Sequence, residues 1–552
     1  MLDPNHPNDA AATAESIRQA LLDQAEIALV DVRPEGLFAE GHPLFAASLP
    51  LGRLEAEVFD RLPRRSVRVV VYGDGDEDTA AAVRRLRELG YGDVSALDGG
   101  LAGWTAAGGE LFRDVNAPSK AFGELVAATL GTPSIPAEGL AELIATGGGG
   151  ADGRCVVVDA RRFEEYAVMS IPTATSVPGA ELVLRAAALA PDPATTIVVN
   201  CAGRTRSIIG AQSLINAGTP NRVVALENGT IGWTLAGLDL DHGQLRRAPM
   251  RPAEAERAQA AGWAVAARAG VRPVTPAELA ALLADAGRTV YRFDVRTPEE
   301  YADGHRPGFR SAPGGQLVQE TDLFAPVRGA AVVLADDGGG RAAMTASWLA
   351  QMNWDVVIAV ADEAAGPIAG ATATMAAGDW VPARPPAPEV PLAGPEEVDR
   401  WLRAGTARVI DVDSSPRFRA GHLPGAAWAL RADLTHLIDV NSDQRRTVLT
   451  SADGYLAAWA AHDLNAHVPS AAVAVLAGGT DGWARSGRPL ETTDGSRAGD
   501  GGLLSLPVDV YRRPYEGTDV DATLMQAYLD WEYGLVEQLE RDGTHGFTVL
   551  RR

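Results

Sequence analysis

The sequence predicts an α/β fold in which several small domains follow one another, each with a small, mostly parallel sheet flanked by helices. Three observations predict it. A chain of 552 residues is too long for one hydrophobic core. Short Val-rich runs alternate with stretches of helical periodicity, which is typical of parallel strands joined by helices. The alternation recurs four times, and such self-similarity indicates tandem copies of one domain.

Each copy begins with an apolar run that ends in an aspartate and is followed by an aromatic residue in a helical turn. The aspartates are Asp31, Asp159, Asp294 and Asp411. A second apolar run then leads into a loop that starts at Gly73, Cys201, Asp336 or Ser451. The loop starts 42 residues after the aspartate in the first three copies and 40 residues after it in the fourth. Because this spacing is nearly constant, we predict that the four loops occupy equivalent places.

A glycine-rich ending with a tryptophan closes three of the copies, at Trp104, Trp233 and Trp483. Shifts in composition divide the chain into domains at residues 1–115, 116–245, 246–382 and 383–495, followed by a C-terminal extension at 496–552. An Ala-rich helix near 252–267 is expected to pack between the two halves. The extension contains an aromatic run from Tyr528 to Tyr533, to which the sequence assigns no role.

The two cysteines of the chain are too few for a disulfide framework. Cys155 opens a Val-rich run and is expected to be a buried strand residue. The other cysteine ends such a run, at the carboxyl end of a predicted parallel strand, where sheets of this kind carry their functional sites. It begins the loop Cys201-Ala202-Gly203-Arg204-Thr205-Arg206-Ser207.

This loop has the features that activate a cysteine. A cysteine reacts as the thiolate, and its pKa falls near cations and helix N-termini. Arg204 and Arg206 supply two positive charges, and Ser207 is expected to cap the helix that follows. Gly203 lets the backbone bend so that N–H groups face the sulfur. We therefore predict that Cys201 is a nucleophile with a lowered pKa.

These motifs together resemble rhodanese homology domains. The resemblance rests on the Asp-Val-Arg start, the Gly-His-Leu-Pro-Gly-Ala turn at 421–426, the cysteine between strand and helix, and the Gly-Gly-x-x-Gly-Trp ending. It implies four tandem domains, and a catalytic cysteine in an active copy that cycles through a persulfide. Position by position, the catalytic cysteine is Cys201, and the substrate-binding loop is Ala202, Gly203, Arg204, Thr205, Arg206 and Ser207. The arginine stands sixth, as in the family, whereas the glycine stands third instead of fourth.

The resemblance implies a sulfurtransferase that needs no cofactor and no metal. We expect Cys201 to take a sulfane sulfur from thiosulfate or glutathione persulfide, because two arginines favour a small anionic donor. Cyanide or a thiol then accepts the sulfur. The other three loops lack a cysteine, and the first of them is strongly acidic from Asp74 to Asp78. We predict that domains one, three and four are inactive and have a structural or protein-binding role.

Two other functions are compatible with the same residues. Cysteine phosphatases and arsenate reductases surround an oxyanion with a Cys-x5-Arg loop, but here the spacing from Cys201 to Arg206 is Cys-x4-Arg. Alternatively, the four domains form a scaffold on which Cys201 receives oxidation or a persulfide once, as a signal. Turnover in a steady-state assay distinguishes an enzyme from such a sensor.

Charge and composition exclude several classes of protein. A net charge of −23 argues against nucleic acid or an anionic membrane as a partner. Lys120 is the only lysine, so neither a phosphate-binding P-loop lysine nor a Schiff-base lysine has a plausible candidate. The first residues resemble no secretory signal, and no apolar run is long enough to span a bilayer. These features predict a cytoplasmic protein.

Overall fold

The computed structural model describes residues 11–146, 155–249, 252–360, 375–437, 445–468, 472–493, 502–517 and 519–551. Four sheets of five strands each follow one another along the chain. The expected boundary at 495/496 and the segment where the third copy lacks its Gly-Trp ending lie outside the described residues. The predicted architecture of tandem α/β domains with mostly parallel sheets flanked by helices is confirmed.

The first domain contains four strands and five helices of its own. The strands are β1 (Ile27–Asp31), β2 (Ala46–Ser48), β3 (Arg68–Tyr72) and β4 (Asp93–Ala96). The helices are α1 (Ala14–Leu22), α2 (Glu35–Glu40), α3 (Leu54–Arg61), α4 (Asp76–Glu88) and α5 (Gly100–Ala106), and a 3-10 turn at Leu51–Arg53 precedes α3.

The second domain follows a long helix, α6 (Ala117–Leu130). Its strands are β5 (Ser134–Ile135), β6 (Cys155–Asp159), β7 (Thr175–Ser176), β8 (Thr196–Asn200) and β9 (Val223–Leu226). Its helices are α7 (Ala137–Ala145), α8 (Phe163–Val168), α9 (Leu182–Leu189), α10 (Thr205–Asn216) and α11 (Gly229–Leu235), with a 3-10 turn at Gly179–Glu181. The sheet order is β5-β9-β8-β6-β7, and all four pairings are parallel.

The third domain has the same strand order, β10-β15-β14-β11-β12. The strands are β10 (Arg272–Val274), β11 (Val290–Asp294), β12 (Arg310–Ser311), β13 (Val327–Arg328), β14 (Ala331–Ala335) and β15 (Asp355–Ala359). The helices are α12 (Pro252–Arg268), α13 (Pro276–Ala284), α14 (Pro298–Asp303), α15 (Gly314–Gln319), α16 (Thr321–Phe324) and α17 (Gly340–Gln351). Strand β13 leaves this sheet and pairs antiparallel with β1 of the first domain.

The fourth domain repeats the order once more, as β16-β20-β19-β17-β18. The strands are β16 (Leu392–Ala393), β17 (Ala407–Asp411), β18 (Ala427–Trp428), β19 (Arg446–Thr450) and β20 (Val473–Leu476). The helices are α18 (Pro395–Arg403), α19 (Ser415–Ala420), α20 (Leu434–Leu437), α21 (Tyr455–His467) and α22 (Gly479–Arg485), with a 3-10 turn at Arg431–Asp433. The extension adds α23 (Ala522–Tyr533) and α24 (Leu535–Asp542).

The aspartate that ends the first apolar run of each repeat is buried. At the end of β6, the carboxylate of Asp159 accepts hydrogen bonds from the guanidinium of Arg161 at 2.7 and 2.9 Å, and both side chains are buried. Equivalent pairs join Asp31 to Arg33 and Asp294 to Arg296. Asp411 has no such partner because residue 413 is an aspartate. The Asp-Arg pair is therefore a structural feature of three of the four repeats.

Two helices between the domains hold them together. The Ala-rich helix α12 packs against α9 of the second domain and α17 of the third, as the sequence predicts. Helix α6 is buried along most of its length and contacts α10, α15, α23 and α24. Helix α6 therefore brings elements of the third domain and of the extension next to α10, the helix that follows the cysteine loop.

The C-terminal extension runs across three domains. Gly502 and Val508 accept backbone hydrogen bonds from Trp428 of the fourth domain and Gly36 of the first. Helix α23 then packs on α6 and α11, and the phenyl ring of Phe547 contacts Phe122 of α6. Within the described ranges, no helix is long and apolar enough to cross a membrane. Helix α23 thus lies beside the second domain, and the backbone N–H groups of Thr548 and Leu550 then donate to Gln351 of the third domain, although the extension follows the fourth in sequence.

Candidate functional site

Cys201 lies directly after β8, and α10 begins four residues later at Thr205. Its side chain is buried, with only 2% of the residue exposed. Cys155, by contrast, opens β6 and is half-buried among apolar residues. The structure therefore places Cys201 at the carboxyl end of a central parallel strand, as the sequence predicts.

The first turn of α11 is hydrogen-bonded to the backbone of the cysteine loop. The backbone N–H groups of Thr230 and Ile231 donate to the carbonyls of Cys201 and Ala202, both at 3.0 Å. Gly229 adopts a φ of +55°, and a Cβ there would lie 2.3 Å from the carbonyl oxygen of Cys201. The glycine-rich ending of the repeat is thus explained, since only glycine permits this approach. In the fourth domain Gly479 approaches Ser451 in the same way.

Arg206 extends into an ion pair with Glu165 of α8. Its two terminal nitrogens donate to the two carboxylate oxygens at 2.7 and 2.9 Å. Burial opposes ionisation of Glu165, but the guanidinium lowers the pKa of this carboxyl to about 2. Glu165 is accordingly ionised at neutral pH, and the pair carries no net charge.

Arg204 is paired in a similar manner, with a carboxylate on a different helix. It donates to both oxygens of Glu124 on α6, at 2.6 and 2.8 Å. Its guanidinium carbon also lies 4.0 Å from the ring centroid of Tyr533 at the end of α23. Arg204 therefore ties the loop to α6 and to the extension.

The prediction that Ser207 caps the helix is wrong. Helix α10 begins at Thr205 with Arg204 at its N-cap, so Ser207 lies within the first turn. Its hydroxyl donates to the carbonyl of Arg204 at 2.7 Å. The backbone N–H and the hydroxyl of Ser207 also interact with the sulfur of Cys201, which makes Ser207 part of the sulfur's immediate surroundings.

The prediction of a lowered thiol pKa is also wrong. Burial raises the pKa of Cys201 and outweighs the positive charge of Arg206 and the hydrogen bonds from Ser207. The carboxyl of Glu532 acts in the same direction as burial. Sequence spacing reveals the arginines of the loop but not Glu124 and Glu165, which neutralise them from 80 and 41 residues away.

A small cavity of about 10 Å³ lies at the cysteine loop. The six loop residues from Cys201 to Arg206 line it, together with side chains from three other parts of the chain. These are Lys120 of α6, Gln319 of α15, and Tyr515, Tyr528 and Glu532 of the extension. The sequence pattern indicates none of these five as part of the site. The aromatic run around Tyr528 was the one available signal that the extension packs on another part of the protein, because aromatic side chains on a helix are usually buried against a neighbouring element.

A cleft of about 470 Å³ between the first three domains and the extension lies next to this cavity. Arg206, Gln319 and Tyr515 line both spaces and separate them. Its walls carry both arginines and carboxylates, for example Arg61 and Glu320. In the part of the chain that the structure describes, no group of three or more His, Cys, Asp or Glu side chains is placed to hold a metal ion.

In the equivalent loop of the third domain, backbone N–H groups bind a carboxyl group. Asp336 occupies the place of Cys201, and its carboxyl accepts hydrogen bonds from the N–H groups of Gly338, Gly339 and Ala342. The N–H of Ala342 corresponds in position to that of Ser207, which faces the sulfur. This loop conformation therefore directs backbone N–H groups at the side chain in its first position, which suits an anion.

Comparison with known proteins agrees with the four repeats. A family model described as the rhodanese-like domain matches residues 13–107, 143–236, 275–362 and 394–486. The chain belongs to the rhodanese-like domain family. A crystal structure of a thiosulfate sulfurtransferase from Pseudomonas aeruginosa is 51% identical in sequence, with a TM-score of 0.92; the match covers 98% of this chain and 100% of that one.

Other matches each cover about a fifth of this chain. The Alr3790 protein from Anabaena sp. is 34% identical over 19% of this chain and 83% of the compared one, with a TM-score of 0.18. The uncharacterized protein slr1261 from Synechocystis sp. is 35% identical over 101 residues, which is 18% of this chain. That match spans 55% of slr1261, about half of its length. Of the four rhodanese-like domains here, the second has a cysteine at the loop position and the others have Gly73, Asp336 and Ser451.

Proposed function

We propose that this protein is a sulfurtransferase that moves a sulfane sulfur from thiosulfate, or from glutathione persulfide, through a persulfide on Cys201 to cyanide or a thiol. The observation that carries the proposal is the position of the thiol, at the end of β8 in a loop whose equivalent binds a carboxyl through three N–H groups. The 51% identity to a thiosulfate sulfurtransferase over nearly the whole chain supports it.

The reaction has two steps with thiosulfate as donor. The Cys201 thiolate attacks the outer sulfur, a new S–S bond forms, and the S–S bond of thiosulfate breaks as its electron pair leaves with sulfite. An acceptor nucleophile then attacks the terminal sulfur of the persulfide and releases the Cys201 thiolate. Cyanide becomes thiocyanate, and a thiol becomes a persulfide. Neither step requires a metal or an organic cofactor.

Local groups oppose the effect of burial on the thiol without cancelling it. Burial disfavours the thiolate, whereas Arg206 and the two groups of Ser207 favour it. An anionic donor that reaches the loop meets the same N–H groups. We propose that donor and acceptor approach through the interdomain cleft, because Arg206, Gln319 and Tyr515 line both the cleft and the cysteine cavity.

We assign a structural role to the three domains without the cysteine. The third domain supplies Gln319 to the cavity, and the first supplies much of the cleft wall, for example Arg53 and Arg61. A protein partner bound to these domains would therefore act close to the entrance of the site.

Mass spectrometry after incubation with thiosulfate tests the proposal. We expect one added sulfur on Cys201 in the wild-type protein, turnover with cyanide or a thiol, and loss of both in Cys201→Ala. Cys155→Ala is the matched control and keeps full activity, because Cys155 lies at the far end of its strand from the loop. Absence of the added sulfur would exclude the mechanism. A single modification without turnover would indicate a sensor, and phosphatase activity in place of sulfur transfer would indicate an oxyanion-binding enzyme.

A further inference from the structure

Three buried polar atoms around the cysteine cavity have no hydrogen-bond partner among the described residues. They are Oγ1 of Thr205, Oε1 of Gln319 and Oε2 of Glu532. The carboxyl is the most unusual of the three, because Glu532 is 1% exposed and an unpaired buried carboxylate is costly. Its Oε2 lies only 3.0 Å from where a Cβ on Gly203 would stand, and therefore directly over the loop.

The charged and titratable groups around Glu532 come from several elements. On α23 itself, the hydroxyl of Tyr528 donates to Oε1 at 2.8 Å. On α6, Lys120 is paired with Asp114 at 2.7 Å, and Glu124 is paired with Arg204. Cys201, Arg206 and Tyr515 line the same cavity, and Arg206 is paired with Glu165.

Among the described residues, the three cations named here, Lys120, Arg204 and Arg206, are each paired with another carboxylate, which favours the neutral form of Glu532. Burial raises the pKa of Glu532 to about 7, against the lowering effect of Lys120. In the neutral form Oε1 accepts the Tyr528 hydroxyl, and Oε2 carries a proton with no acceptor. A carboxylic acid is then a hydrogen-bond donor directed at the loop.

The size of the cavity limits what can accept this hydrogen bond. About 10 Å³ is close to the space that one water-sized group requires. A whole thiosulfate ion is larger, whereas the single sulfur atom added to Cys201 in the proposed first step is of this scale. The terminal sulfur of a persulfide would carry the negative charge that a carboxylic acid stabilises.

We propose that Glu532, supplied by the C-terminal extension, binds the persulfide intermediate by donating a hydrogen bond from its neutral carboxyl to the terminal sulfur on Cys201. The inference rests on the proposed function. Glu532 is a substrate-binding residue in this account, not the base that ionises the thiol. The proton stays on Glu532 when the persulfide forms and when the acceptor removes its sulfur.

The test measures the equilibrium between thiosulfate with free enzyme and sulfite with persulfide. Wild type, Glu532→Gln and Glu532→Ala, all as full chains, are equilibrated at fixed ratios of thiosulfate to sulfite, from below to above the Glu532 pKa of about 7. Intact mass gives the fraction of Cys201 that carries the added sulfur. Because Glu532 also raises the pKa of Cys201, the titration of the thiol is measured in each protein from the pH dependence of its alkylation rate. Each persulfide constant is corrected for that titration before the wild-type value is divided by that of Glu532→Gln.

We expect Glu532→Gln to form persulfide about as well as wild type at low pH, because its neutral amide also donates a hydrogen bond. Glu532→Ala forms roughly 10- to 100-fold less, as expected for loss of a hydrogen bond to a charged group. As the pH rises through and above 7, the wild type loses its proton and repels the persulfide anion. The ratio of wild type to Glu532→Gln then falls.

Several outcomes would overturn the inference. They are a ratio that does not change with pH, and a Glu532→Gln protein as poor as Glu532→Ala at low pH. Infrared difference spectra of wild type, loaded minus unloaded with sulfur, need no variant and should show a shifted carboxylic acid C=O band; no shift contradicts the proposal. Glu537→Gln, an exposed residue of the same extension, is the matched control and behaves as wild type. If the wild type takes up no sulfur, the proposed function fails instead.

Discussion

Arg206 donates two hydrogen bonds to Glu165, at 2.7 and 2.9 Å, so the charge nearest to Cys201 in the cysteine loop is already paired. Removing the carboxylate should leave more of this positive charge to act on the sulfur. We expect Glu165→Gln to lower the pKa of Cys201 and to speed its alkylation by iodoacetamide at neutral pH. A change of half to one pKa unit corresponds to roughly three- to tenfold. Glu164→Gln, an exposed neighbour, removes the same charge without the contact, and equal rates in both variants would contradict the prediction.

Gly229 and Gly237 form a matched pair for testing the contact beneath the loop. Both have a positive φ, +55° and +70°, so alanine strains the backbone at either position. A Cβ at Gly229 meets the carbonyls of Cys201, Ala202 and Gly203 within 2.7 Å, whereas a Cβ at Gly237 meets nothing within 4 Å. We expect Gly237→Ala to cost about 1 kcal/mol of stability with normal activity. Gly229→Ala should displace the loop, abolish sulfur transfer and lower the melting temperature further.

Asp411 gives a pH-dependent test of the Asp-Arg pairs. It is 2% exposed and lacks the arginine found in the other domains, and burial raises its pKa to about 7. A carboxyl whose pKa is raised by folding stabilises the protein below its unfolded pKa of about 3.9, and this contribution is lost as the pH rises through the folded pKa. The loss is on the order of 4 kcal/mol above pH 7.

Asp411→Asn should therefore stabilise the fourth domain above pH 7 and have no effect near pH 4, as measured by calorimetry at both pH values. Asparagine can still accept the hydrogen bond that the N–H of Asp413 donates at 2.9 Å. Asp159→Asn is the comparison, because it leaves the buried Arg161 unpaired and should destabilise the protein at neutral pH by about 3–5 kcal/mol. Equal destabilisation by both variants at pH 8 would contradict the prediction that the unpaired carboxyl of Asp411 destabilises the fourth domain above pH 7.

The repeat and the position of the cysteine could be predicted because both depend on residues that are close together in the sequence. Val-rich runs and constant spacing determine where β8 ends, and Cys201 follows it directly. The glycine-rich ending was also visible, although its reason, the approach of Gly229 to the loop carbonyls, is a contact between separate turns. Ser207 was misplaced as a cap because the helix begins only two residues earlier, and helix boundaries are the least certain feature of a sequence pattern.

The chemistry around the thiol could not be predicted, because it comes from residues far away in sequence. The carboxylates that neutralise the two arginines lie on α6 and α8, and the extension supplies Tyr515, Tyr528 and Glu532 to the cavity beside Cys201. Nothing in the pattern around Glu532 distinguishes it from a solvent-exposed helical glutamate. Only its contacts with Tyr528 and the loop do so.

Strand β13 has a consequence for the order in which the protein folds during synthesis. Its residues Val327 and Arg328 belong to the third domain but pair with Ala28 and Ile27 at the edge of the first sheet. About three hundred residues separate β1 from β13, so the N-terminal domain completes its sheet only after β13 has been synthesised. Until then the backbone groups at this edge of β1 are unpaired in nascent chains. Chains stalled before residue 327 should consequently be the ones most prone to associate with each other or to recruit chaperones.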